Sequence, residues 1–107
     1  MLNVRCAAIL LVLASCPAAA QAGDPQAGRQ KAMQCQPCHG LDGVAKIPQA
    51  PNLAGQPEFY LTKSMRDYKS GTRKDEMMSI VMPSLSDTDI ENLASYYSSI
   101  QVEVKPP

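Results

Sequence analysis

The pattern of apolar and polar positions predicts three helices separated by irregular segments. Asp24 reads as an N-cap with Pro25 at the first helical position, and Gln26-Ala27-Gly28-Arg29-Gln30-Lys31-Ala32-Met33 continues a helix from 25 to about 36. Residues 40–56 carry Gly40, Gly43, Pro48, Pro51 and Gly55, too many breakers for helix or strand, so they form one long ordered loop. A loop of that length in a small domain usually wraps something. A second helix runs from Pro57 to about Ser70 and ends at Gly71, with Tyr60, Leu61, Ser64, Met65 and Tyr68 along one semi-apolar stripe. Residues 72–84 are polar, then methionine-rich, and are broken by Pro83. The last helix has the clearest start: Ser86 with Asp89 three residues on forms a capping box, and Ile90, Leu93, Ala94 and Tyr97 follow at helical spacing up to Ile100. No run alternates with period two, so the fold class is all-α.

Ahead of these elements, Met1 to Arg5 holds the only early charge and Cys6 to Ser15 is an unbroken small or apolar run. That is the pattern of a secretory signal. Roughly ten to fifteen apolar residues cannot cross roughly 30 Å of hydrocarbon, so no transmembrane helix is expected in the mature chain. Ala18-Ala19-Ala20 and Ala20-Gln21-Ala22 are both small-residue cleavage sites; the second divides the chain into a signal over 1–22 and one domain over 23–107. A rival reading takes Leu13-Ala14-Ser15-Cys16 as a lipobox with a lipid anchor at Cys16, although Pro17 is an awkward neighbour for an acylated cysteine.

A length of 107 residues suits one small domain at most and excludes a multidomain enzyme. Ten basic residues against ten acidic ones give no general basic field, which argues against nucleic acid as a partner. A mature domain of about 85 residues buries only a modest core and needs a disulfide, metal or cofactor to complete it. Its two cysteines, Cys35 and Cys38, would close too small a loop for a disulfide to contribute much chain entropy.

Cys35-Gln36-Pro37-Cys38-His39 is a C-x-x-C-H motif, the pattern of covalent c-type haem attachment. Two thiols three positions apart can each form a thioether with one haem vinyl group, and the histidine that follows then lies where it can coordinate the iron. The porphyrin becomes the missing core. A tetrahedral zinc site fails on inventory, because the mature chain has no other Cys or His to complete it. A thioredoxin-like dithiol would need a βαβ surround, which the pattern lacks. With His39 the only histidine, a second protein ligand would be methionine, a pairing known in c-type cytochromes. Met33 lies on the attachment side and Met65 on a helix face suited to packing, which leaves Met77, Met78 and Met82.

Taken together, Gly23-Asp24 and Gly28, the motif through Gly40, Pro51-Asn52-Leu53-Ala54-Gly55-Gln56, the methionine segment, and Leu85-Ser86-Asp87 leading into Leu93-Ala94-Ser95-Tyr96-Tyr97 resemble class I cytochromes c. Small bacterial single-haem carriers and the halves of periplasmic di-haem ones are the nearest in pattern. The resemblance implies the cytochrome c fold, three main helices and long loops around one covalent haem c. It implies Met78 as the iron ligand, seven residues before Leu85, and Pro51, twelve residues after His39, as the carbonyl that accepts a hydrogen bond from the imidazole. It also implies a close crossing of the first and last helices, with Gly28 against Tyr96 or Tyr97.

A haem ligated by His39 and Met78 has no vacant position for a substrate. The expected function is therefore a periplasmic, monomeric one-electron carrier between a redox protein donor and acceptor, not an enzyme. A haem-based gas sensor with a labile methionine is the alternative. Lys46, Lys63, Arg73 and Lys74 are candidate docking charges near the haem edge.

Overall fold

The computed structural model describes residues 23–107, so the expected signal over 1–22 and the lipidation reading at Cys16 lie outside the described residues. Five α-helices follow one another: α1 Pro25–Lys31, α2 Gln36–His39, α3 Glu58–Ser70, α4 Met78–Val81 and α5 Asp87–Ser98. Among the described residues there is no strand. This is the expected all-α architecture, with α1, α3 and α5 as its three main helices.

Local chemistry explains most of the ends. The Asp24 carboxylate accepts the Gln26 N–H at 2.8 Å, with Pro25 filling the first turn. In α5 both halves of the capping box form, each at 3.0 Å: Asp89 N–H donates to Ser86 Oγ and Ser86 N–H donates to the Asp89 carboxylate. Helix α3 closes on Gly71. Two boundaries differ from expectation. The first helix does not continue to Gln36: it tightens into a 3-10 turn over Ala32–Gln34, and the haem motif occupies the separate short helix α2. Residues 72–84 are not simply a loop, because they contain α4 and a 3-10 turn over Met82–Ser84. Pro83 sits in the first turn of that last piece, where its missing N–H costs nothing.

The core is formed by Ala32, Leu61, Met82, Leu85, Ile90, Leu93, Ala94 and Tyr97. Its frame is the crossing of α1 and α5. A Cβ on Gly28 would lie 1.9 Å from the Asn92 carbonyl oxygen and 2.8 Å from Tyr96 Cβ, so only glycine lets the helices approach this closely. Of the two tyrosines expected here, Tyr96 is the one that Gly28 meets, together with the Asn92 backbone. The same asparagine accepts the Asp24 N–H on its side-chain oxygen at 2.7 Å, which ties the start of α1 to α5. No helix among the described residues is long and apolar enough to cross a membrane.

Candidate haem site

A cavity of about 690 Å³ lies beside this frame. Cys35, Cys38, His39 and Pro51 form part of its wall; Tyr60, Leu61, Ser64, Met65 and Tyr68, the whole predicted stripe of α3, form another; Met77, Met78 and Met82 a third. The fold therefore brings Cys35, Cys38, His39, Pro51 and all three candidate methionines to one cavity, whereas of the four candidate docking charges only Arg73 lies on its wall. A second hollow of about 520 Å³, near the end of α3, is more open and contains none of the motif residues.

His39 is 7% exposed, and its Nδ1 lies 3.0 Å from the Pro51 carbonyl oxygen. A carbonyl can only accept, so Nδ1 is the donor, and in the neutral imidazole this tautomer leaves Nε2 with a lone pair for a metal. The backbone on either side of the ring is held as well. His39 N–H donates to the Cys35 carbonyl at 2.9 Å, and Lys46 N–H to the Cys38 carbonyl at 2.8 Å. Gly40 then turns the chain away with φ +73°, a conformation that a side chain would strain. Its carbonyl accepts the Tyr97 hydroxyl at 3.1 Å in the interior, and the Leu41 carbonyl accepts the Tyr96 hydroxyl at 2.6 Å.

These two tyrosine anchors were not legible in the sequence, which marked both residues only for helix packing. Burial, reinforced by Cys35, Tyr96 and Asp42 nearby, pushes the Tyr97 hydroxyl well above its ordinary range, so it remains a donor at any physiological pH. Burial and the neighbouring Cys38 likewise push the Cys35 thiol up to about 11. The loop behind Pro51 is pinned by Asn52, whose side-chain oxygen accepts the Ala45 N–H at 2.8 Å, and by the Gly43 carbonyl, which accepts the Leu53 N–H at 2.8 Å.

The three candidate methionines differ in burial. Met82 is 2% exposed and belongs to the core, Met77 is 59% exposed, and Met78 is half-buried against the core at the cavity wall. The Asp75 carboxylate, missed in the sequence reading, fixes their backbone: it accepts the N–H groups of Met77 at 2.9 Å and Met78 at 3.0 Å. An Asp just ahead of a short apolar run is a helix-start signal that would have found it. Met33 lies outside the cavity.

The donor set fits a haem and not a bare ion. Two thiols, one imidazole with a defined tautomer and a thioether share a mostly apolar cavity, whereas no group of three or more His, Cys, Asp or Glu among the described residues could hold a metal ion.

Comparison with known proteins agrees. The family described as cytochrome c matches residues 25–101. The chain belongs to the cytochrome c family. Its C-x-x-C-H motif, Cys35, Cys38 and His39, is accordingly a haem c-binding motif. Cytochrome c4 of Pseudomonas aeruginosa is 41% identical over 103 residues, which cover 96% of this chain and 51% of that one. Cytochrome c-554(548) of Halomonas halodenitrificans is 44% identical over 81 residues, 73% of this chain and 98% of the relative. The crystal structure of reduced cytochrome c4 from Pseudomonas stutzeri superposes with a TM-score of 0.71 at 41% identity, covering 78% of this chain and 48% of that one. The chain spans about half the length of the cytochrome c4 proteins it matches.

Proposed function

We propose that this chain is an exported one-electron carrier, with haem c bound through Cys35 and Cys38 and coordinated by His39 and Met78. The observation that carries this reading is the His39 to Pro51 hydrogen bond, which leaves Nε2 as the free ring nitrogen in a cavity whose wall also holds Met78. When bound, haem supplies an iron that cycles between the ferrous and ferric states. The protein supplies the rest. Thioether sulfur is soft and neutral and favours ferrous iron, which raises the potential. Two protein ligands leave no position for a substrate, which suits a carrier and not an enzyme. The Pro51 carbonyl on its ring and the buried Tyr97 hydroxyl on the Gly40 carbonyl that follows keep that ligand in place as the charge changes.

The apolar, half-exposed Tyr60 and Met77 at the cavity wall mark the side on which a donor or acceptor protein would dock. The lysines read as docking charges are partly committed elsewhere: Lys46 pairs with Asp42 at 3.1 Å and Lys63 with Asp67. The early apolar run supports export to the periplasm, with residues 1–22 as the signal and 23–107 as a monomeric mature domain.

The test is the absorption spectrum of protein matured in a periplasm that has haem-attachment machinery. Covalent haem, sharp reduced bands and the weak long-wavelength band from methionine sulfur to ferric iron are expected. Met78→Ala should abolish that band. Haem without the band in the wild-type chain, together with carbon monoxide binding to the reduced protein at neutral pH, would replace the carrier by the gas-sensor reading.

A further inference from the structure

One cation of the described chain stands apart from the others. Lys31, Lys46, Lys63, Arg66 and Lys69 each pair with a carboxylate, whereas Arg29, Arg73, Lys74 and Lys105 have none within ion-pair distance, and among these four Arg73 is set apart by its place. It is also the only Lys or Arg on the wall of the large cavity, while its neighbour Lys74 faces the other hollow. Its position is built. The Arg73 N–H donates to the Asp67 carbonyl at 3.0 Å, which folds the segment back along α3, and the guanidinium carbon lies 4.7 Å from the centre of the Tyr68 ring. Tyr68 is itself part of the cavity wall. Stacking on an aromatic face holds the planar group in place and leaves its N–H edge free to donate.

A haem brings two carboxylates into this cavity in addition to its iron. Anionic groups beside apolar walls need a hydrogen-bonding cation, and arginine suits a carboxylate because it can donate two parallel bonds. Neither nearby acid forms an ion pair with the guanidinium: Asp75 accepts the N–H groups of Met77 and Met78 and feels Arg73 only through space, and Glu76 makes no ion pair. We infer that Arg73 is a positioning residue for the cofactor, donating to a haem propionate from its seat on Tyr68. This rests on the haem-carrier reading above. It moves Arg73 from the docking charges to the haem site.

The electrostatic consequence has a definite sign. A fixed cation beside the haem disfavours the more positive ferric state, so removing it should lower the midpoint potential. The experiment is a redox titration of the haem-loaded full chain and of three variants, Arg73→Gln, Arg73→Lys and Lys74→Gln. At a fixed ambient potential, Arg73→Gln should raise the ferric-to-ferrous ratio threefold or more, about 30 mV for a one-electron couple. Arg73→Lys should recover at least half of that change, and Lys74→Gln should produce less than half of it. No change in Arg73→Gln, an equal change in Lys74→Gln, or no recovery in Arg73→Lys would each overturn the inference. The absorption spectra separate this from the underlying reading. A wild-type chain without covalent haem and the methionine band would sink the carrier reading, whereas intact bands with an unmoved potential in Arg73→Gln would sink only the propionate contact.

Discussion

The His39 side of the cavity and the Met78 side differ in how their backbone is held. On the His39 side, bonds from distant parts of the chain converge: the Pro51 carbonyl on the ring, Lys46 N–H on Cys38, and the Tyr96 and Tyr97 hydroxyls on the two carbonyls that follow the histidine. Several of these are wholly or partly buried, and they depend on the α1 to α5 frame. On the Met78 side, the turn into α4 is capped by one exposed carboxylate from its own segment, Asp75, and its neighbours Met77 and Ile80 are 59% and 75% exposed. Met82 and Leu85 are the residues of that segment buried in the core, with Met78 half-buried against it. Local opening is easiest where buried apolar contacts are few and hydrogen bonds face water. In the proposed haem site, that difference would make His39 the firmly held ligand and Met78 the more easily released one.

The root of the Met78 side gives the largest expected effect. Met82→Ala should cost about 2–5 kcal/mol in a denaturant titration of the haem-loaded chain, as for other buried large-to-small changes, while the methionine band persists. Met78→Ala should do the reverse, losing the band with a smaller loss of stability, because Met78 is only half-buried. If Met82→Ala abolished the band, the ligand would be Met82 and the comparison between the two sides would have to be redrawn.

The frame behind the His39 side comes next. Gly28→Ala forces a methyl group onto backbone at Asn92, which cannot move aside as a flexible side chain would, and should cost about 3 kcal/mol. The methionine band should survive at low denaturant, because the strain falls on α1 and α5. Tyr97→Phe is milder. The Gly40 carbonyl keeps a second bond from Gly43 N–H at 3.2 Å, so the loss should be about 1 kcal/mol. Amide exchange should quicken around Gly40 and Leu41 and leave residues 75–82 unchanged; quickening confined to 75–82 would contradict the placement of this anchor.

Much of this contrast is invisible in the sequence, for identifiable reasons. The helix starts at Asp24 and Ser86, the breaker-rich loop and the C-x-x-C-H motif are local signals, read within a few residues. The stripe of Tyr60, Leu61, Ser64, Met65 and Tyr68 was legible as one face, but what it faces was not, because the cavity exists only once α3 packs beside the motif. The tyrosine hydroxyls reach carbonyls 55 and 57 residues away, and no local pattern encodes such a pairing. The end of α1 was overrun for a related reason. Continuing the helix through Cys35 keeps the periodicity, whereas the fold tightens at Ala32, wholly buried in the core, and restarts the chain at Gln36. Arg73 read as one of four candidate docking charges, and only the Tyr68 ring beneath its guanidinium sets it apart from the other three.

The smallest effect tests the weaker side directly. The N–H groups of Met78 and Met77, in that order, hold the Asp75 carboxyl below its ordinary value of 3.8, with Arg73 adding to the shift. A carboxylate with a lowered folded value contributes fully above the unfolded value, and its contribution is lost as pH falls through the folded one. The cap on α4 should thus be intact at neutral pH and weaken only below about 3.8. In ligand-exchange kinetics, with imidazole displacing the methionine from ferric iron, Asp75→Ala should accelerate displacement severalfold at pH 7 while barely changing global stability. The wild-type rate should climb toward that of the variant as pH falls through the Asp75 transition, and the variant should lack that step. Parallel pH profiles for the two proteins would mean that Asp75 does not gate the methionine, and that the exposed turn is held by its root at Met82 and Leu85 alone.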